Sequence, residues 1–138
     1  MSRPAIIDTN VVVAGLLTGQ VQSPVARILD GMLGGAFVFV LSEALIAEYR
    51  AVLMRPKLRK LHGLSVAEIE AIIVDLVRPA VVLQPQAAAE APEPGDQLLW
   101  DLLACRPDLI LVTGDKLLLQ SHDMGGRILT PHAFCSEG

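Results

Sequence analysis

The sequence predicts an α/β protein with a parallel or mostly parallel sheet buried under helices. Short β-branched and aliphatic runs alternate with helical segments along the whole chain, the pattern of strand–helix–strand crossovers, which are right-handed as a rule. The apolar fraction is 52% with 4% aromatics and a mean hydropathy of +0.51, so the core must come from Val, Leu, Ile and Ala, a composition suited to strands covered on both faces. The length of 138 residues predicts one domain over 1–138, large enough to bury a core without disulfides or a structural metal.

The elements follow in order. "PAIID" (4–8) is a first strand, and "NVVVAGLL" opens a helix. "PVARILDGML" (24–33) has Ser23 as N-cap, proline at its first position and a Gly-Gly stop. "AFVFVLS" (36–42) is a second strand, followed by "SEALIAEYRAVLM", a helix capped by Ser42 and stopped before Pro56. "SVAEIEAIIVDLV" (65–77) starts with a capping box, Ser65 with Glu68, and carries apolar residues at 69, 72, 73, 76 and 77. "AVVLQP" is a strand and "QAAAEAPEPG" (86–95) a loop without periodicity. "DQLLWDLLAC" (96–105) is a helix, "LILVTGD" a strand with its turn, and "GRILTP" a last strand.

No apolar run reaches the roughly 18 residues that span a bilayer, and no signal-like segment precedes the first strand; the sequence predicts a cytoplasmic protein. Cys105 and Cys135 lack metal-ligand spacing and read as reduced, partly buried thiols. His62, His122 and His132 are scattered and give no zinc pattern. A formal net charge of −4 argues against nucleic-acid binding through a broad basic field, while leaving local contacts open.

In a parallel α/β sheet the functional crevice lies beyond the carboxyl ends of the strands. Asp8 ends the first strand, Asp115 follows "LILVT" by one glycine, and Asp96 heads the helix before that strand. Each also has a structural reading: Asp8, Asn10 and Asp96 as helix caps, Asp115 as a turn residue. Glu48 is harder to explain that way, because its helical neighbours Ala44, Leu45, Ala51 and Val52 are apolar and a lone buried carboxylate is costly. Glu43, in the first turn of that helix, complements the helix dipole, and Asp75 and Asp101 read as surface residues. If Asp8, Glu48, Asp96 and Asp115 converge, their repulsion calls for a cation, and an all-oxygen set selects Mg²⁺ or Mn²⁺. Such a site suits phosphodiester hydrolysis by activated water without a protein nucleophile.

Taken in order, "IIDTNVVVAGLL", "LSEALIAEYRAVLMRPKL", "EPGDQLLWDLLA" and "LILVTGDKLLL" resemble the PIN domain, and more narrowly the PIN-family toxins of bacterial toxin–antitoxin pairs. The resemblance runs from about residue 5 to the final "ILTPHAF". It implies a Rossmann-like three-layer α/β/α sandwich and a metal-dependent ribonuclease, with Asp8, Glu48, Asp96 and Asp115 as the four family acids and Asn10 and Thr113 as supporting polar groups. It also implies a cognate antitoxin and a homodimer. Where relatives often read Asp-Pro-Asp-Asp, this chain has Glu93-Pro94-Gly95-Asp96: the last acid is kept, the one before it is glycine, and Glu93 is left as an auxiliary group.

The densest positive segment, "RPKLRKLH", holds Arg55, Lys57, Arg59 and Lys60. So short a run reads first as a solvated face; its functional reading is contact with an RNA backbone. Trp100 and Tyr49 fall on core-facing helix positions, so no aromatic platform for bases is visible. Three other classes compete. A Mg²⁺-dependent phosphatase or phosphotransferase with Asp8 as nucleophile usually needs an acid two residues on, where this chain has Asn10. A phospho-receiver domain would end a central strand in Asp, which neither "FVFVLS" nor "AVVLQP" does. A catalytically impaired interaction module is opposed by retention of all four acids and favoured by Gly95.

Overall fold

The computed structural model describes residues 3–86, 89–121 and 126–137. Along the chain run β1 (Ala5–Ile7), α1 (Thr9–Leu17), α2 (Pro24–Gly34), β2 (Val40–Leu41), α3 (Glu43–Leu53), α4 (Pro56–His62), α5 (Val66–Val77), β3 (Val81–Val82), α6 (Gln97–Leu103), β4 (Ile110–Val112), α7 (Lys116–Leu119), β5 (Ile128–Leu129) and α8 (Pro131–Ser136).

Every strand pairing is parallel. β4 lies between β1 and β5, with Ile6 opposite Leu111 and Val112 opposite Leu129, and β2 pairs with β3. A bridge from Ala5 to Phe39 joins the two ladders, giving the order β3-β2-β1-β4-β5. All residues of β1, β2 and β4 are at most 1% exposed. Successive strand residues point to opposite faces, so both faces are covered and the architecture is an α/β/α sandwich. The exposed edge is β3, where Val81 and Val82 are 40% and 46% accessible.

The direction of strand addition reverses between β1 and β4, and at such a switch point the loops leaving the two carboxyl ends diverge and open a crevice. Asp8 follows β1 directly, and its amide donates to the Val112 carbonyl at 2.9 Å, carrying the β1–β4 ladder to the crevice edge.

Local signals act as the sequence predicts at several ends. Ser23 Oγ accepts from the Ala26 amide at 3.3 Å and Ser42 Oγ from Leu45 at 3.2 Å; Ser65 and Glu68 form the capping box. Gly35 ends α2 at φ 70°, a left-handed position that favours glycine. Trp100 and Tyr49 are buried, at 2% and 1% exposure.

The structure differs from the sequence reading at several points; of "AVVLQP" only Val81 and Val82 form strand, and of "GRILTP" only Ile128 and Leu129. Of "AFVFVLS" only Val40 and Leu41 form strand, with Phe39 bridging. The charge run 55–62 is helical: Pro56 starts α4 and Gly63 ends it at φ 69°, although none of its residues is buried. The turns α7 and α8 were also absent from that reading; α8 is anchored by fully buried Phe134 and capped by Thr130, whose Oγ1 accepts from Ala133 at 3.0 Å. Cys105 is exposed rather than partly buried, whereas Cys135 is half-buried.

His62 has a structural role. Its Nδ1 accepts from the Leu64 amide at 2.9 Å, so its Nε2 carries the proton given to the Leu53 carbonyl at 3.0 Å. His122 and part of the 86–95 loop lie outside the described residues. Among the described residues no helix is long and apolar enough to cross a membrane.

Candidate active site

Asp8 stands where β1 gives way to α1, and only 7% of it is exposed. One carboxylate oxygen accepts from the Thr9 amide at 2.8 Å. The other accepts from Thr113 Oγ1 at 2.7 Å and from Asn10 Nδ2 at 3.3 Å. Burial pushes its pKa up to about 6; the bonds from Thr113 and Thr9 oppose that rise, and the charges of Glu48 and Asp96 add to it.

Thr113 is buried at the end of β4 and ties the two sides of the crevice together. Its hydroxyl donates to Asp8 and accepts from the Asp115 amide at 3.0 Å. Asn10 completes the frame, with its carbonyl oxygen accepting from the Gly114 amide at 3.1 Å. The loop that delivers Asp115 is therefore hydrogen-bonded to the residues that orient Asp8. Asp115 also caps α7 through a 2.9 Å bond from the Leu117 amide, so the turn reading holds for it alongside any chemical role.

Glu48 approaches from α3 and is half-buried. Thr9 Oγ1 donates to its carboxylate, a contact that sequence reasoning missed; the only available signal was a hydroxyl between two polar residues in "DTN". Contrary to the sequence expectation, Glu48 does not stand on a uniformly inward apolar face: Leu45 is buried and Val52 half-buried, but Ala44 and Ala51 are exposed. Beneath it, the buried Tyr49 hydroxyl donates to the Ile7 carbonyl, bracing α3 against the last residue of β1. Burial, with Asp8 and Glu48 nearby, raises the phenol well above its ordinary value, which keeps it a donor.

Asp96 comes from a 3-10 turn, Pro94–Asp96, leading into α6. It makes no capping hydrogen bond, so the capping explanation fails here. The segment before the turn is pinned by Gln97, which receives the Ala91 amide and donates to the Ala89 carbonyl, each at 3.0 Å. Partial burial raises the Asp96 pKa, with further upward pressure from Asp115, Glu48 and Glu93.

Asp8, Glu48, Asp96 and Asp115 all line one cavity of about 510 Å³, together with Thr9 and Asn10. Its other wall is apolar, from Val13, Ala14 and Leu17 on α1 and Val52 on α3, and Arg55 stands at its rim. Arg59 and Lys60 line a second cavity instead; Lys57 is exposed and borders neither.

Among the described residues no three ligating side chains stand close enough to hold a metal ion as they are placed. The donor chemistry nevertheless fits a hard divalent cation. Four carboxylates line one cavity without His or Cys, and Asp8 and Asp96 are pushed toward protonation first by burial and then by the neighbouring carboxylates, a repulsion that a bound cation relieves.

A family model described as the PIN domain matches residues 4–117. No curated protein sequence matches the chain.

Proposed function

The chain belongs to the PIN-domain family, whose members are typically metal-dependent nucleases, and from that membership we propose that it is a Mg²⁺- or Mn²⁺-dependent endoribonuclease. The observation that carries the reading is the arrangement of Asp8, Glu48, Asp96 and Asp115 around one cavity at the sheet switch point. Asp8 is the central ligand, held by Thr9, Thr113 and Asn10. Glu48, which accepts from Thr9, Asp96, which makes no capping hydrogen bond, and Asp115 complete the set. A divalent cation held by these carboxylates would supply charge neutralisation for the phosphodiester and a water ionised near neutral pH.

The chain's own residues orient the ligands and give the cavity an apolar wall from Val13, Ala14, Leu17 and Val52. In the net reaction the water oxygen bonds to phosphorus, one P–O ester bond breaks, and the water proton ends on the departing oxygen. No side chain becomes phosphorylated. Asn10 supports this over the Asp8-nucleophile phosphatase, since its amide is committed to Asp8 and the Gly114 amide and supplies no second acid.

The deciding experiment is cleavage of mixed RNA by purified protein. We expect activity with Mg²⁺ or Mn²⁺, its loss in EDTA, and a loss of at least 100-fold in Asp8→Asn with the fold intact. Metal-independent cleavage, or full activity in both Asp8→Asn and Asp115→Asn, defeats the mechanism; phosphate release from a small phosphomonoester through an aspartyl intermediate favours the phosphatase.

The narrower resemblance supports a cytoplasmic toxin that forms a homodimer and is held inactive by a cognate antitoxin. On that reading a small open reading frame adjoins this one, and expression of the wild type, but not of Asp8→Asn, arrests growth.

A further inference from the structure

Four carboxylates attract a cation but repel a phosphodiester, so the cavity needs a positive group that does not collapse onto the acids. Arg55 stands at the cavity rim between α3 and α4. It is exposed, and among the described residues it forms no ion pair with the carboxylates or with any other group. The Arg59 amide donates to the Arg55 carbonyl at 2.9 Å, which sets Arg59 one helical turn, about 5.4 Å, further along the same side. Arg59 and Lys60 line a second cavity of about 430 Å³, together with Pro56, next to Arg55 in the chain, and Glu68. Of the four cations in the basic segment, Arg55 thus stands at the acids, Arg59 and Lys60 line the second cavity, and Lys57 lines neither. A guanidinium presents a planar fork that matches two phosphate oxygens, which an ammonium does not.

Building on the nuclease reading, we infer that Arg55 holds the phosphate that is hydrolysed, while Arg59 and Lys60 hold the RNA backbone beyond it, so that the substrate enters along α4. Arg55 then acts on both binding and turnover, because its charge meets the phosphate on which negative charge develops. Arg59 and Lys60 act on binding alone.

The test is steady-state cleavage of a fluorescent single-stranded RNA oligonucleotide in Mn²⁺. We expect Arg55→Ala to lower kcat at least tenfold, and Arg55→Lys to recover part of the loss. The double variant Arg59→Ala/Lys60→Ala should raise KM severalfold with kcat within twofold of wild type. Arg78→Ala removes the same charge from a cavity that shares no lining residue with these two and should change neither constant. Thermal melting checks the fold of each variant; if Arg55→Ala melts early, Arg55→Lys still must show the lowered kcat. Wild-type kcat in the Arg55 variants, or an effect confined to KM, overturns the inference while the nuclease reading stands. No cleavage by the wild type overturns both.

Discussion

Asp8, the proposed central ligand, strains its own fold. Its pKa of about 6 lies above the ordinary 3.8 because burial outweighs its hydrogen bonds. A carboxyl group raised in the folded state contributes fully below its unfolded pKa, and that contribution is lost as pH rises through about 6. The shift corresponds to roughly 2–3 kcal/mol at neutral pH. Melted in EDTA, Asp8→Asn should therefore gain on the wild type between pH 4.5 and pH 7.5, and a gap that stays constant with pH would contradict this. Thr113→Val removes the shortest of the bonds to Asp8. A hydrogen bond to a charged group is worth about 1.5–3 kcal/mol, so the cleavage rate should fall roughly tenfold or more and the acid limb of its pH profile should move to higher pH; an unchanged profile would remove Thr113 from its orienting role. The positions of Asp8 and Asp115 were legible because strand ends in a parallel sheet face the crevice. Thr9 was not, because its partner Glu48 lies 39 positions away and a contact across such a separation leaves no local pattern.

At the scale of elements, legibility tracked the source of stability. α2, α3 and α5 carry both side-chain caps and buried apolar stripes and could be read directly. α4 buries nothing among its residues, so no hydrophobic period marked it, and only Pro56 and Gly63 bracketed it. The strands are shorter than the apolar runs that predict them, because such runs mark a fit to a pleated surface whereas ladder pairing stops where the partner strand ends, and at β3 the run is exposed as well. The departure from Asp-Pro-Asp-Asp falls on the Pro94–Asp96 turn, where a Cβ at Gly95 meets no atom within 4 Å. Packing therefore does not require glycine there. Gly95→Asp should change stability by no more than about 0.5 kcal/mol, as is usual for an unconstrained surface site. By adding a carboxylate beside Asp96 it should lower the Mn²⁺ concentration that gives half-maximal cleavage. An unchanged metal requirement would show that this position does not face the cation.

For the whole molecule, the formal charge of −4 and the proposed RNA substrate are reconciled by where the charges sit. Four of the fifteen acidic residues line one cavity with Arg55, while Arg59 and Lys60 line a second cavity beside Pro56 and Glu68. A protein that meets RNA through so short a track releases few counterions. Three phosphate contacts on a single strand give a log–log salt slope of about −2. Fluorescence anisotropy with the non-cleaving Asp8→Asn variant, measured in EDTA across a potassium chloride series, should return that slope. A slope near zero would mean that α4 does not touch the backbone, and one steeper than about −5 would require a basic surface that a single copy of this chain does not carry among its described residues.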